Sequence, residues 1–235
     1  MKSFETFVNS FRNAWELVVD VRWPLASEDD AQGDPVWQAA LIPLCGCALG
    51  VLIFALGILL PSQIAGSILW AFAALVILEL KDSGRGLKFV SGKCAKLLFK
   101  ENHQQFVPSL NTALMLLKIA ALIVIGVNGA RGIMIVLLTS VFAVESYLAV
   151  SDPVPVIDIE AREKRFIWGI PVVIAFFAFW TAPLFTVASA ALPAGIVWYF
   201  KTHIWKENQP VSGDDITLVA GVVELTLLVV AMLIV

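Results

Sequence analysis

The chain has 235 residues, of which 59% are hydrophobic and only 15% are charged. These residues supply too little polar surface to cover a water-soluble domain, so the composition excludes a soluble globular protein. The formal net charge of −3 also excludes a nucleic-acid-binding protein that relies on a strongly basic surface. The composition therefore predicts an all-α, polytopic membrane helical bundle.

Residues 1–36 are predicted to form an amphipathic helix followed by an acidic linker. Apolar residues between Phe4 and Val19 recur at three- and four-residue spacing, which is typical of a helix with one apolar face. Such a helix either lies in the lipid headgroup region or packs against the rest of the protein, and the sequence leaves both interpretations open. Residues 24–36 contain proline, glycine and several acidic residues, which indicates a solvated linker.

Residues 37–235 are predicted to form one transmembrane domain of about seven helices. Each apolar run is close to the ~20 residues that a helix needs to cross a hydrocarbon core of ~30 Å. The second and sixth runs are short, so a tilted, re-entrant or protein-buried segment is an alternative for each. The predicted spans cover residues 39–60, 64–80, 108–129, 131–150, 166–185, 187–201 and 216–235.

The positions of the basic residues predict the orientation of these spans. All but two of the 16 Lys and Arg residues fall on one side of the membrane in the seven-span arrangement. The exceptions are Lys118, within the third span, and Arg131, on the opposite side. Because cytoplasmic loops carry the excess of Lys and Arg, we expect the N-terminus in the cytoplasm and the C-terminus outside the inner membrane.

Lys118, Glu145 and Glu224 fall inside predicted spans, and Glu79 lies at the inner end of the second predicted span. A charge in the bilayer costs roughly 2.5 to 3.5 kcal/mol on insertion scales, so these side chains are expected to face the bundle interior and to have partners. An ion pair between Lys118 and either Glu224 or Glu145 is the favoured interpretation of this buried charged cluster. A proton relay or a substrate site is the alternative.

The segment from Glu79 to Lys88 follows the second predicted span into the cytoplasm. Glu79 and Asp82 share one helical face, and two carboxylates placed this way can hold a divalent cation that bridges to phosphate oxygens. Arg85 and Lys88 add positive charge that suits a phosphorylated ligand. A second acidic segment, Asp214 and Asp215, precedes the last span, where a helix N-cap accounts for one of the two residues.

The order of these features resembles that of the cobalamin synthase family, the membrane-bound adenosylcobinamide-GDP ribazoletransferases. The segment 41–50 is similar to that family's first span, with its Pro-Leu-x-Gly type run. Residues 212–215, Ser-Gly-Asp-Asp, followed by Glu224, resemble its closing Thr-Gly-Asp helix. Lys100 begins a run that stands where the family has Lys-Asp-Ser-Arg.

The family's acidic motif is where this chain departs most from the pattern. Members carry His-x-Asp-Gly-x-x-Asp-x-x-Asp-Gly after the second span, with three carboxylates on one helical face. In an ungapped alignment from Ile64, residues 83, 87 and 90 of this chain occupy the acidic positions as Ser, Leu and Val. Asp82, one place early, and Glu79, one helical turn before, are the nearby carboxylates.

The resemblance implies a Mg²⁺-dependent phosphotransferase of cobalamin biosynthesis. In the implied reaction, a ribose hydroxyl of α-ribazole attacks the cobinamide-bearing phosphorus of adenosylcobinamide-GDP, and GMP leaves. The implied partners are membrane lipid, the cobinamide-type nucleotide and α-ribazole, with a homo-oligomer or a pathway enzyme as a further possibility and no nucleic acid. The resemblance assigns Mg²⁺ to Glu79, Asp82, Asp214 and Asp215, the catalytic centre to Asp82 and Lys100, and the substrate phosphates to Arg85 and Lys88.

Two other functions fit the sequence. A catalytically degenerate relative would bind a cobamide precursor or scaffold a partner enzyme, and the missing carboxylates favour it. A small transporter would use Lys118, Glu145 and Glu224 as a buried relay, with short spans acting as discontinuous helices. The transporter ranks last because the acidic residues cluster towards the cytoplasmic face.

Overall fold

A computed structural model describes residues 2–19, 34–59, 64–80, 84–99, 102–150, 169–204 and 212–235. All regular structure within these ranges is helical, in agreement with the predicted all-α class, and they contain no β-strand. A π-helical turn, Phe200–Ile204, directly continues the eighth helix. The helices are α1 (Lys2–Val18), α2 (Pro35–Leu59), α3 (Ile64–Leu80), α4 (Arg85–Phe99), α5 (His103–Val127), α6 (Gly129–Val150), α7 (Gly169–Phe179), α8 (Pro183–Tyr199) and α9 (Gly213–Ile234).

Several of these helices are suited to a membrane. Four segments of the described chain are long and apolar enough to cross one: Val36–Leu59, His103–Val127, Pro183–Ile204 and Gly213–Ile234. Two further apolar segments, Ala65–Leu80 and Met134–Ser146, are shorter. The structure thus supports a helical membrane protein with four candidate spans, and the seven-span topology stays a prediction.

The region of the predicted fifth and sixth spans is divided differently in the structure. The prediction placed one helix over 166–185, whereas α7 ends at Phe179 and α8 begins at Pro183. Proline suits the first turn of a helix because the amide hydrogen that it lacks has no helical partner there. Since α8 continues through the π-helical turn, the sixth apolar segment is longer than the short span that the sequence predicted.

Helix α6 lies at the centre of the bundle, where it contacts α2, α5, α7, α8 and α9. Its approach to α2 is close at two glycines. A Cβ atom on Gly46 would lie 2.9 Å from the carbonyl oxygen of Ser140, and one on Gly50 would lie 2.9 Å from the Cα atom of Leu137. The glycine pair therefore serves helix packing inside the bundle.

Helix α1 is the predicted amphipathic helix, and it packs against α2. Ala14 and Val18 are fully buried in a cluster with residues of α2. Phe7 meets Trp37 of α2 edge to face, with 5.7 Å between ring centroids. Phe4, near the start of the helix, is 71% exposed. Packing on the bundle, one of the two open interpretations, is therefore what the structure shows, and most of the acidic linker lies outside the described residues.

Helices α4 and α5 pack side by side, and α4 also packs against α9. Near the connection between α4 and α5, Phe99 stacks on Phe106 with 4.0 Å between ring centroids. The pair is therefore antiparallel, and the start of α4 lies beside the middle of α5. This arrangement places the start of α4 at the buried charges of the bundle.

Candidate functional site

Three charged side chains from three helices meet in the interior of the bundle. The ammonium group of Lys118, on α5, forms ion pairs with the carboxylates of Glu79, on α3, and Glu224, on α9. The distance from Lys118 Nζ to Glu224 Oε1 is 2.5 Å. Lys118 and Glu224 are 4% and 3% exposed. Because two carboxylates share one ammonium group, this charge cluster carries one negative charge in excess when all three groups are ionised.

The charge cluster lies at different points along its three helices. Glu79 is the penultimate residue of α3, whereas Lys118 and Glu224 lie near the middles of α5 and α9. At 1.5 Å per residue, roughly 16 Å of α9 precedes Glu224. Helix α3 therefore ends level with the middle of α9, which is why the Glu79 side chain reaches inward.

Helices α4 and α9 cross beside the charge cluster at Gly86 and Gly221. A Cβ atom on Gly221 would lie 2.9 Å from the carbonyl carbon of Gly86, closer than real Cβ contacts. Glu224 lies one helical turn after Gly221, so the close crossing brings its carboxylate to Lys118. The space enclosed by these residues is about 10 Å³, close to the minimum for one water molecule. The charge cluster is therefore packed and does not enclose a substrate-sized cavity.

A glycine turn leads from α3 to α4. The amide of Gly84 donates a hydrogen bond of 3.0 Å to the carbonyl oxygen of Glu79. Gly84 has φ of +72°, which favours glycine, and a Cβ atom there would lie 3.2 Å from Glu79 Oε2. The turn thus holds the start of α4 against the Glu79 carboxylate. Asp82 and Lys100, the predicted catalytic residues, lie outside the described residues.

The acidic residues before the last span form a helix cap. The amide of Asp215 donates to the Ser212 hydroxyl at 3.2 Å, and the Asp215 carboxylate accepts hydrogen bonds from the Ser212 amide and hydroxyl at 3.1 and 2.7 Å. This reciprocal pattern is a capping box at the start of α9. It accounts for Asp215, while Asp214 is exposed beside it.

The carboxylates predicted to bind Mg²⁺ have other roles in the described structure. Glu79 is paired with Lys118, and Asp215 is engaged in the capping box. Across the described ranges, no three or more His, Cys, Asp or Glu side chains are grouped so that they could hold a metal ion. Since Mg²⁺ prefers six oxygen ligands, these residues alone do not fit a preformed site. Mg²⁺ binding therefore stays a prediction that depends on Asp82.

Arg85 and Lys88 are exposed at the start of α4. The positive end of the helix dipole lies at this terminus, and both side chains add to its positive potential. The predicted phosphate-binding residues therefore lie on the surface next to Gly84. The charge cluster lies beneath them.

Glu145, the third residue of the predicted buried cluster, lies apart from Lys118. It is on α6 and is 2% exposed, and neither carboxylate oxygen has a hydrogen-bond partner among the described residues. It lines a cavity of about 200 Å³ between α6, α7 and α8. Glu224 and Glu145 were the two predicted partners of Lys118, and in the structure Lys118 pairs with Glu224. Lys118 also pairs with Glu79, which the resemblance had assigned to the metal ion.

The pairing of Glu79 with Lys118 is the feature of the site that sequence reasoning missed. Glu79 stands at the inner end of an apolar run, and its position one helical turn before Asp82 led to its assignment to a metal ion instead of to Lys118. The available signal was charge balance, because a lysine inside a span needs a counter-charge and Glu79 is the only carboxylate in the second predicted span. The depth at which α3 ends is a property of the packing and not of the hydropathy pattern.

No family model, curated protein or solved structure matches the chain. The likeness to cobalamin synthases therefore depends on the short segments 41–50 and 212–224 and on the order of the elements. In the structure, the end of α3, the start of α4 and the Glu224 segment of α9 meet at the charge cluster.

Proposed function

We propose that the protein is a multi-pass protein of the inner membrane that joins α-ribazole to GDP-activated cobinamide with release of GMP, as cobalamin synthases do. The observation that carries the proposal is the convergence of Glu79 and Gly86 with Gly221 and Glu224. Segments about 140 residues apart in the sequence, both required by the resemblance, meet at one place in the bundle.

The proposed reaction takes place at the surface above the charge cluster. A ribose hydroxyl of α-ribazole forms a bond to the cobinamide-bearing phosphorus, the phosphoanhydride bond breaks, and GMP leaves. Asp82 accepts the proton of the hydroxyl, and Lys100 completes the catalytic centre. Arg85 and Lys88, with the start of α4, stabilise the charge that spreads over the phosphoryl oxygens.

The seven-span topology, with a cytoplasmic N-terminus and an external C-terminus, is part of this proposal. Large apolar side chains exposed on the short helices α3 and α7 support it, because such a surface suits lipid better than water. Leu69, Phe72 and Val76 on α3 are each at least half exposed, as are Val172, Phe176 and Phe177 on α7.

A catalytically degenerate relative is the second candidate. It would bind the cobinamide nucleotide, or a partner enzyme, at the same surface without transferring a group. The observation that favours it is the use of Glu79 and Glu224 by Lys118 and of Asp215 by the helix cap. Carboxylates engaged in this way are not available to a metal ion.

The experiment that tests the proposal is incorporation of α-ribazole into a cobamide by the purified protein in lipid nanodiscs, with adenosylcobinamide-GDP and Mg²⁺. We expect product from the wild type and none from Asp82→Ala, with a loss of at least about tenfold in Arg85→Ala, whose charge acts on the transition state. Lys96→Ala is the matched control, since Lys96 is exposed further along α4. Removal of Mg²⁺ with a chelator tests the predicted metal.

The outcomes separate the two candidates. Product that is lost in Asp82→Ala and kept in Lys96→Ala supports the transferase. Folded wild-type protein that binds adenosylcobinamide-GDP through Arg85 and makes no product supports the degenerate relative. Folded protein that neither binds nor converts the nucleotide contradicts both candidates.

A further inference from the structure

Glu145 is a buried carboxyl group without a partner in the described part of the chain. Neither of its oxygens has a hydrogen bond to a described residue, and only 2% of the residue's surface is exposed. The nearest hydroxyl on the same helix, that of Ser146, donates to the carbonyl oxygen of Ala143 instead. An ionised carboxylate only accepts hydrogen bonds, and its burial without compensation costs several kcal/mol. The group therefore needs a donor that the described residues do not supply.

The cavity beside Glu145 is large enough for a small organic molecule. Its volume is about 200 Å³, and apolar residues of α6, α7 and α8 form most of its wall, among them Phe142, Ala175 and Val197. Cavities of this polarity stay dry and accept apolar molecules, and one of ~150 Å³ holds benzene. Water is thus a poor occupant. An apolar molecule with one hydrogen-bond-donating group suits both the wall and the carboxyl group.

Prolines shape two walls of the cavity. Pro171 and Pro193 line it from α7 and α8. Pro193 lies inside α8, where it cannot donate the helical hydrogen bond to the carbonyl oxygen of Ser189. A proline inside a helix removes one backbone hydrogen bond and tends to kink the helix, and Pro193 lies in the cavity wall that Glu145 also lines.

The mouth of the cavity lies on the outer, apolar surface of the bundle. Val172 lines the cavity and is nevertheless 62% exposed. Its neighbours on α7, Val173, Phe176 and Phe177, are between 54% and 66% exposed. A ligand that reaches the cavity from this side first dissolves in the lipid, so its body must be hydrophobic.

We propose that the Glu145 cavity is a binding site for a small hydrophobic organic cation. The ligand class has an apolar body and one protonated nitrogen, with roughly eight non-hydrogen atoms by comparison with benzene in ~150 Å³. The nitrogen donates a charge-assisted hydrogen bond to Glu145, and the body fills the space between α6, α7 and α8. This site is separate from the charge cluster and does not depend on the proposed transferase reaction.

The test uses the purified protein in nanodiscs, diisopropylcarbodiimide as the chemical probe and N-methylpiperidine, a tertiary amine that cannot form an amide with the activated carboxyl group, as the ligand probe. The carboxyl O–H adds across a C=N bond of the small apolar carbodiimide, so the product keeps all atoms of both reactants. A cation that pairs with the ionised carboxylate blocks this addition. We expect modification of Glu145, measured by mass spectrometry of its peptide, and protection by N-methylpiperidine at a concentration roughly tenfold lower than by neutral cyclohexanol.

Two variants make the test specific. Ala194→Phe fills the mouth from α8 and should abolish protection by N-methylpiperidine, while Ala191→Phe, also exposed on α8 but outside the cavity wall, should keep it. In Glu145→Gln, the peptide that contains residue 145 should no longer be modified by the carbodiimide. Equal protection by amine and alcohol, or protection that survives Ala194→Phe, would overturn the proposal. So would a Glu145 that resists the carbodiimide in folded protein, because the carboxyl group is then paired within the chain.

Discussion

Glu224 and Glu145 are two glutamates of almost equal burial with opposite surroundings. Glu224 is 3% exposed and lies against Lys118, in a contact where Gly86 and Gly221 leave no room for a ligand. Glu145 is 2% exposed and lines a cavity of about 200 Å³ without a partner among the described residues. Burial alone therefore does not reveal what a charged residue in a helical membrane protein does. A buried carboxylate that is paired with a cation in the packing indicates a structural role. A buried carboxyl group without a partner beside a cavity indicates a ligand-binding site.

The largest effect is expected from removing the cation of the charge cluster. Lys118→Met leaves the carboxylates of Glu79 and Glu224 close together without the ammonium group that pairs with both. Removing one partner of a buried ion pair typically costs about 3 to 5 kcal/mol, and we expect a loss of unfolding free energy in this range. Unfolding of the protein in mixed micelles by titration with sodium dodecyl sulfate measures it.

The triple variant Lys118→Met, Glu79→Gln, Glu224→Gln completes this prediction. It removes the unpaired charges, and replacing a buried ion network by neutral groups of similar size is often neutral or stabilising. We expect it to recover at least half of the loss. Lys96→Ala is the control for loss of a surface lysine. A single variant as stable as this control would show that the charge cluster does not hold the bundle together.

A smaller effect is expected at the helix crossing that brings Glu224 to Lys118. Gly221→Ala places a Cβ atom 2.9 Å from the backbone of Gly86, so α4 and α9 must separate. Overpacking of this kind costs about 1 to 3 kcal/mol. The matched control is Gly92→Ala on α4, where a Cβ atom meets no other atom within 4 Å, and which should stabilise the helix by about 0.5 to 1 kcal/mol. Equal unfolding free energies for the two variants would contradict the close crossing.

The smallest loss of stability is expected at Glu145. Glu145→Gln breaks no ion pair and no hydrogen bond among the described residues, and it removes a carboxyl group that is costly to bury when ionised, so its unfolding free energy should not fall below that of the wild type. Measurement by the same unfolding titration allows direct comparison with the Lys118 variant. A loss of several kcal/mol would show that Glu145 has a structural partner, and the contrast between the two glutamates would then disappear.

Hydropathy predicted the helical class and the approximate positions of the helices, because apolar runs and proline positions are local properties. The α1 helix follows from three- and four-residue spacing in the same way. The break before Pro183 was missed because the residues on both sides of it are apolar, and hydropathy does not record where a helix ends. The partner choice of Lys118 was predicted only in part, since it depends on the depth at which α3 ends. The cavity beside Glu145 could not be predicted, because it results from the packing of three helices.

The length of α3 has a consequence for the surrounding lipid. As a spanning helix, its 17 residues cover about 25 Å, less than the ~30 Å of an average hydrocarbon core. A short span is accommodated by thinning of the bilayer or by flanking residues that draw the headgroups inward. The Gly84 turn and the basic start of α4 then lie at the bottom of a depression in the adjoining leaflet. Water and polar molecules would enter the membrane plane there, while the Glu145 cavity on the other side of α6 stays in contact with acyl chains.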